Sequence, residues 1–546
     1  MRRVREPWLV LVPLAVAQWA AVAVFALFVR HNGWLFFQGG DQTYYYTDSW
    51  VISHAHIPES EIGFAWSYLL SPLALIVGPN YLTALPVIVA LQTVILLPLA
   101  LYCVYAIAAR IGDRLLGYAA AVLWVAAPFL MIPLFIDRYH GRYVENFLPQ
   151  AFGLTGLGDF PSLVCLLLAA LFCLRALDRR DPTDAVIAGL AAGFAIGMKP
   201  ANALFLAGPA LAFLVARRGR EGIGFAAALV PGLLALALWK YRGLGHLPLL
   251  TQGSSPVAAG RVLDLPAGSS LSNYLNFDWT RLKDNVVQLH EFLPALPVLM
   301  ALPIAGLIGA LRRSLPGAML LLGWVGAFIL VKGTSEQASI ESGTLLRLFL
   351  PGFPPLLILT ALIPLLWRDR FAAGQDSGTV GRRVLVGAAV VFGLVPVLLF
   401  LVLPPLHART AVKYFDENVF VPVDGDFTVT VGRGRGGELL RWKGASASTT
   451  DAFYRVFRVR PEKAAPDPTL PAGRDGIRCL ALPGDRASDC RLEMTPVGES
   501  RTTSFVDHPP AGPWVYRVGL VANWLDEPSL GDLTLLSGPG RLPAQH

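Results

Sequence analysis

The stretch Gly39-Gly40-Asp41-Gln42-Thr43-Tyr44-Tyr45-Tyr46-Thr47-Asp48 sets two acids among aromatic rings, shortly after a long apolar run. An acid at a membrane surface beside aromatics can act as a general base toward a sugar hydroxyl. The two glycines before Asp41 allow close backbone approach. Asp41 is therefore a candidate base, with a solvated loop carboxylate as the alternative. A second polar stretch holds Asp137-Arg138-Tyr139-His140-Gly141-Arg142, then Glu145, then Gly158-Asp159-Phe160-Pro161. Asp159 opens an apolar run, where an acid before proline also simply suits the first turn of a helix. Arg138, His140 and Arg142 can grip a phosphate or contact lipid headgroups. Lys199 stands in Met198-Lys199-Pro200 between two apolar runs. A lysine at membrane depth is costly unless paired, so an acid or a lipid phosphate is its expected partner, with snorkelling to the surface as the alternative. Arg347, followed by Pro351, Pro354 and Pro355, places another charge at the mouth of an apolar run.

Whether these groups meet depends on the elements that carry them. The 546 residues are 54% hydrophobic and 15% charged, against roughly 25% charged in soluble domains. That excludes a single soluble domain, a disordered chain and a nucleic-acid-binding module. The net charge is +7, yet from His407 onward 17 basic residues balance 17 acidic ones. The basic excess thus belongs to the apolar part, as expected for loops at an anionic lipid surface rather than for a nucleic-acid partner.

Apolar runs long enough for a bilayer core of about 30 Å begin near residues 8, 83, 115, 161, 184, 200, 222, 292, 316, 345 and 384. They predict a polytopic α-helical membrane protein of about eleven transmembrane helices over residues 1–405. The first run is too long for a signal peptide and reads as an uncleaved anchor. With the N-terminus in the cytoplasm, the inside turns collect Arg2, Arg3 and Arg5; Arg110 and Arg114; Arg175, Arg179 and Arg180; Arg217, Arg218 and Arg220; Arg312 and Arg313; and Arg368, Arg370, Arg382 and Arg383. This is the positive-inside pattern, repeated at every turn. Residues 184–217 would make one helix of about 51 Å, too long for one crossing, and Pro200 splits them in two. Lys199 then lies slightly below the outer surface, and the C-terminus lies outside. The long loops, 30–65, 136–160 and 241–290, all fall on the outer side, which is where work is expected.

Residues 406–546 lose the long apolar runs. Phe427–Val431, Leu439–Trp442, Tyr454–Val459 and Trp514–Val521 suit short strands, and the segment reads as an extracytoplasmic β-sandwich. Its Trp442, Tyr454-Arg-Val-Phe-Arg and Pro510-Ala-Gly-Pro-Trp-Val-Tyr516 resemble a fibronectin type III domain. Cys479 and Cys490 flank Pro483-Gly484-Asp485 and can close a hairpin disulfide there, or stand as two thiols. The other cysteines, Cys103, Cys165 and Cys173, lie in apolar runs and read as small hydrophobes. No phosphate-binding glycine loop, dinucleotide fingerprint or Cys/His metal spacing is present in the sequence.

Four motifs together resemble the GT-C superfamily of integral membrane glycosyltransferases, in the style of polyprenyl-phosphate-sugar-dependent mannosyltransferases and aminoarabinose transferases. They are Gly40-Asp41 with its tyrosines, Asp159-Phe-Pro-Ser162, Gly189-Leu-Ala-Ala-Gly-Phe-Ala-Ile-Gly-Met-Lys199-Pro200, and Arg347-Leu-Phe-Leu-Pro351. The resemblance implies Asp41 as catalytic base, Asp159 as second acid, and Lys199 and Arg347 as donor-phosphate ligands, with Arg138, His140 and Asp48 as further binding residues. It implies an inverting transfer from a polyprenyl-phosphate sugar to a glycan, lipid or protein acceptor, at the outer face of the inner (plasma) membrane. The usual second acid of the first loop is here Gln42, so a divalent metal stays open. A multi-span transporter or lipid flippase, and a non-catalytic scaffold with an outer binding domain, are the rival readings.

Overall fold

The computed structural model describes residues 7–28, 40–58, 60, 62–77, 81–131, 134–135, 154–244, 277–335, 344–367, 387 and 390–406. In the C-terminal part it describes 411–413, 419–420, 422–424, 428–434, 436–443, 452–459, 491–493, 495–522, 534–537 and 540–541. Arg138, His140, Cys479 and Cys490 lie outside the described residues.

The first part is helical: α1 Trp8–Phe28, α2 Gly40–Ser53, α3 Phe64–Val77, α4 Tyr81–Leu91, α5 Leu97–Ile111, α6 Arg114–Met131, α7 Asp159–Arg179, α8 Pro182–Met198, α9 Ala207–Val215, α10 Gly219–Leu244, α11 Trp279–Phe292, α12 Leu296–Arg313, α13 Leu315–Gly333, α14 Thr344–Phe349, α15 Phe353–Ala361 and α16 Val395–Val402. A π-turn at Gln92–Leu96 joins α4 to α5. Among the described residues five stretches are long and apolar enough to cross a membrane by length and composition: Ala84–Ile111, Asp159–Arg179, Gly219–Gly243, Leu296–Arg313 and Leu315–Gly333. This is a membrane protein, but five such helices replace the eleven expected. Over the residues whose side chains are described, the other apolar helices run 10–17 residues, Trp8–Ala23 of α1 and Arg114–Ala127 of α6 among them. Prolines and tight turns interrupt them: Pro200 opens a 3-10 segment, Pro200–Leu206, and Pro351 another, Leu350–Gly352. Proline has no N–H to continue an α-helix and crowds the preceding turn. The break expected at Lys199 is present. Lys199 ends α8 in an extended conformation, at φ −140° and ψ 104°.

Two elements differ from the loop expected over 30–65. Gly40–Ser53 is helical, and Phe64–Val77 is a further apolar helix packed against it. The bundle itself packs closely. α7 and α8 form an antiparallel hairpin, and α8 lies on α10 where glycines let backbones touch: a Cβ on Gly189 would fall 2.3 Å from Phe225 O, and one on Gly232 2.7 Å from Gly193 O. Trp66, Trp124, Trp239 and Trp324 fill the interior.

The C-terminal part is β-sheet. After β1 (Ile57–Pro58) and β2 (Pro405–Leu406), it comprises β3 Ala411–Lys413, β4 Val419–Phe420, β5 Pro422–Asp424, β6 Thr428–Gly434, β7 Gly437–Lys443, β8 Ala452–Val459, β9 Arg491–Glu493, β10 Thr495–Ser500, β11 Ser504–Asp507, β12 Val515–Ala522, β13 Thr534–Leu536 and β14 Gly540–Arg541. One sheet runs β10-β8-β12-β13-β5 with β14 also on β12, a second runs β11-β7-β6, and a third β4-β3-β9. Most pairs are antiparallel, but β13–β5 and β3–β9 are parallel. Trp442 of β7 packs edge-on against Tyr454 of β8 at 5.1 Å, joining two of the sheets through their apolar faces.

Candidate active site

Helix ends bring the site together. α7 starts at Asp159, α8 stops before Lys199, and α14 carries Arg347, so these three lie at one end of the bundle. Gly158 leaves room for the ring of Tyr45, since a Cβ there would sit 3.0 Å from it. Asp159 occupies the first turn of α7, where the helix dipole favours an anion. Asp41 occupies the first turn of α2.

The four residues picked out by sequence meet. Arg347 Nη2 donates to Asp41 Oδ2 and, at 3.3 Å, to Asp159 Oδ2. Lys199 Nζ donates to Asp159 Oδ1. The two acids are not equivalent: the Asp159 side chain is 3% exposed and that of Asp41 47%. Among the described residues Arg347 Nε is buried without a hydrogen-bond partner, so the guanidinium keeps one unused donor.

Helix α2 holds the arrangement in register. Gln42, fully buried, accepts from Gly156 N at 2.8 Å. The same turn is gripped by Trp66, whose indole donates to Gly156 O at 2.9 Å, and by Gln92, whose amide donates to Thr155 O at 2.6 Å. Tyr45 donates to Met198 O at 3.1 Å, next to Lys199. Burial, and then the charges of Asp159 and Asp41, push the Tyr45 hydroxyl well above its usual range, so it stays a donor. Sequence reasoning missed Gln42, Tyr45 and Gln92 as supports, because their partners are backbone groups of distant segments that no spacing reveals.

Asp48 stands apart from this network. Its carboxylate accepts from Ser60 Oγ at 2.5 Å, and Lys240 donates to Ser60 O at 3.1 Å. All three are buried. Burial pushes the Asp48 carboxyl up to about 7, against the opposing pulls of Ser60 and Lys240. Asp48 is thus enclosed by Ser60 and the neighbouring chain rather than joined to the other three charged residues.

The described residues of the site do not form a ligand set for a divalent metal. Among the described residues no group of three or more His, Cys, Asp or Glu converges. Asp41 and Asp159 already share a guanidinium, and Gln42 turns to Gly156.

Residues 147–240 match the model of the dolichyl-phosphate-mannose-protein mannosyltransferase family, a stretch that includes both Asp159 and Lys199. The chain resembles a GT-C membrane glycosyltransferase. The resemblance read from the four motifs is thus borne out by a match that covers two of them. Among solved structures, the oligosaccharyltransferase of Archaeoglobus fulgidus tethered with an acceptor peptide matches at 14% identity, over 73% of this chain and 55% of that one, with a TM-score of 0.39. The archaeal oligosaccharyltransferase AglB of the same organism, in complex with an inhibitory peptide and a dolichol-phosphate, matches at 15% identity over the same shares, with a TM-score of 0.37. The chain spans 55% of the length of these proteins. No curated protein matches it.

Proposed function

We propose that residues 1–405 form a membrane glycosyltransferase that moves a sugar from a polyprenyl-phosphate donor to an acceptor hydroxyl, and that residues 406–546 form a separate extracytoplasmic β-domain. The observation that carries this reading is the convergence of Asp41, Asp159, Lys199 and Arg347, separated by up to 306 positions, on one end of the bundle. The name of the matched family, with its dolichyl-phosphate-mannose donor, supports a lipid-linked sugar.

The reaction is a single inverting displacement. Asp41, the more exposed acid, takes the proton of the acceptor hydroxyl. The acceptor oxygen bonds to the anomeric carbon, the bond from that carbon to the phosphate oxygen breaks, and polyprenyl phosphate leaves with the electron pair. The donor phosphate draws on the unused Nε–H of Arg347 and competes with Asp41 for the guanidinium, which frees the carboxylate to act as base. Asp159, buried between Lys199 and Arg347, anchors both cations. Fixed charges aimed at the leaving phosphate stabilise the charge that grows there.

The extracytoplasmic face is supported by where the arginines fall. Arg110 and Arg114, Arg179 and Arg180, Arg217 and Arg218, and Arg312 and Arg313 lie at the turns α5–α6, α7–α8, α9–α10 and α12–α13, opposite the end that holds the site.

Sugar transfer from a polyprenyl-phosphate donor, measured with purified full-length protein in lipid, tests the reading. Asp41→Asn keeps the shape and removes the base, and the rate should fall about 10²–10⁴-fold at unchanged expression. Asp159→Asn should also lower the yield of folded protein, because it leaves two cations short of a counter-charge. Full activity in both variants rejects the reading in favour of a transporter.

A further inference from the structure

The four charged groups of the site balance: two carboxylates against a guanidinium and an ammonium, each engaged with another. A phosphate joining them finds no cation in excess. Lys332 supplies one. It is the penultimate residue of α13, and α13 climbs from the Arg312-Arg313 turn to the end of the bundle where α7 starts and α8 stops. α13 runs in close contact with the segment that follows Lys199: a Cβ on Gly323 would fall 2.8 Å from Ala207 O, and one on Gly208 2.5 Å from Leu320 O. From that level Lys332 on α13 and Lys199 at the head of Pro200–Leu206 reach the same end of the bundle, where α13 also packs against α14 with its Arg347. Among the described residues no carboxylate bears on Lys332, and its ammonium has no hydrogen-bond or ion-pair partner there.

The end of α13 is also held in place. Asn285 of α11, itself buried, donates to Gly333 O at 2.8 Å. A Cβ on Gly333 would sit 2.6 Å from Leu282 Cδ1, so α11 lies directly against this turn. Two like charges fixed near each other at the margin of an apolar bundle are unfavourable until an anion sits between them.

We propose that Lys332, paired with Lys199, is a binding residue for the phosphate of the polyprenyl carrier, holding it more tightly as the leaving product than as the donor. This rests on the glycosyltransferase reading above. In the donor the phosphate is a diester with one negative charge. When the bond from the anomeric carbon to the phosphate oxygen breaks, that oxygen keeps the electron pair and the phosphate becomes a monoester with a second charge. A cation not already neutralised by Asp41 or Asp159 gains most from that change.

The test is binding of polyprenyl phosphate to the purified full-length protein, read as thermal protection over a titration, with phosphatidylglycerol and inorganic phosphate as separate arms. Lys332→Met should weaken polyprenyl-phosphate binding by about 10–100-fold, the loss expected for one charged hydrogen bond. Lys332→Arg should recover most of it. In the transfer assay, Lys332→Met should raise the donor KM and lower kcat, and the arginine variant should restore both. A lysine that serves only the helix end would lower the melting temperature without ligand and leave affinity unchanged, which overturns the proposal. Equal protection by phosphatidylglycerol or by inorganic phosphate overturns it as well, by assigning the lysines to ordinary headgroups or to free phosphate. If the wild-type protein transfers sugar and Lys332→Met binds the carrier normally, this proposal falls and the function stands. If the wild-type protein neither transfers sugar nor binds polyprenyl phosphate, both fall.

Discussion

Asp41 and Asp159 share one guanidinium, yet their surroundings assign them different work. The exposed acid can meet an incoming hydroxyl, and the enclosed one cannot. Asp48 is a third acid with a third fate. It lies two helical turns beyond Asp41 on α2, buried against Ser60 and within the field of Lys240, and its carboxyl is pushed up to about 7. A folded-state value above the unfolded one means that the protonated form favours the fold. That contribution is complete below about pH 4 and is lost as pH rises through 7, at most about 4 kcal/mol from the size of the displacement. The melting temperature should therefore fall between about pH 4 and pH 7. Asp48→Asn, which cannot ionise, should flatten the profile over that window and leave transfer within a few-fold of wild type. A profile equally steep in the variant would place the titrating group elsewhere.

At the scale of elements, α2 is the part that most needed a structure. Gly-Asp-Gln-Thr-Tyr-Tyr-Tyr has neither helical periodicity nor a strong capping signal, so the sequence alone suggests a loop. Its helix exists because α3 and the Thr155–Leu157 turn give its buried face something to pack on. Asp41, Asp159, Lys199 and Arg347 were legible because an isolated charge in a long apolar chain is costly unless it has a partner. Their mutual pairing was not, and neither was the Asp48–Ser60–Lys240 chain, which joins segments 180 positions apart. The span count failed for a local reason: hydropathy counts apolar residues, whereas proline and the 3-10 segments decide where each helix stops. Gln42 tests the role of α2. Gln42→Leu keeps the bulk but strands the N–H of Gly156, a loss of about 1–3 kcal/mol at a buried donor. Because that turn leads directly into Asp159, kcat should fall together with the melting temperature. A Gln42→Glu variant can still accept from Gly156 and should lose less of both. Unchanged kcat in Gln42→Leu would show that the clamp does not position the acid.

For the whole molecule, one short pairing supports the proposed orientation of the C-terminal part, without any count of spans. β1 follows α2 directly, and it pairs in parallel with β2, Ile57 with Pro405 and Pro58 with Leu406. Ile57 N donates to Pro404 O at 2.8 Å. Arg242, near the end of α10, donates to Phe400 O at 3.2 Å, just before the same junction. The chain therefore leaves the last apolar helix on the side of the membrane where Asp41 and Lys199 lie, whatever number of helices cross. The arginine-rich turns lie at the opposite end of the bundle, and the tendency of such turns to stay in the cytoplasm supports the proposed outward-facing C-terminal domain. A reporter fused after residue 546 that works only in the cytoplasm should stay silent, and one that works only outside should be active. A single cysteine introduced at Tyr44, an exposed position on α2, should react with a membrane-impermeant thiol reagent in intact cells; one introduced at Arg217 should react only after the membrane is opened. Labelling of both cysteines from the same side would remove the opposition between the site and the arginine turns. A cytoplasmic C-terminus combined with outside labelling at position 44 would show that the β1–β2 pairing does not form in the membrane.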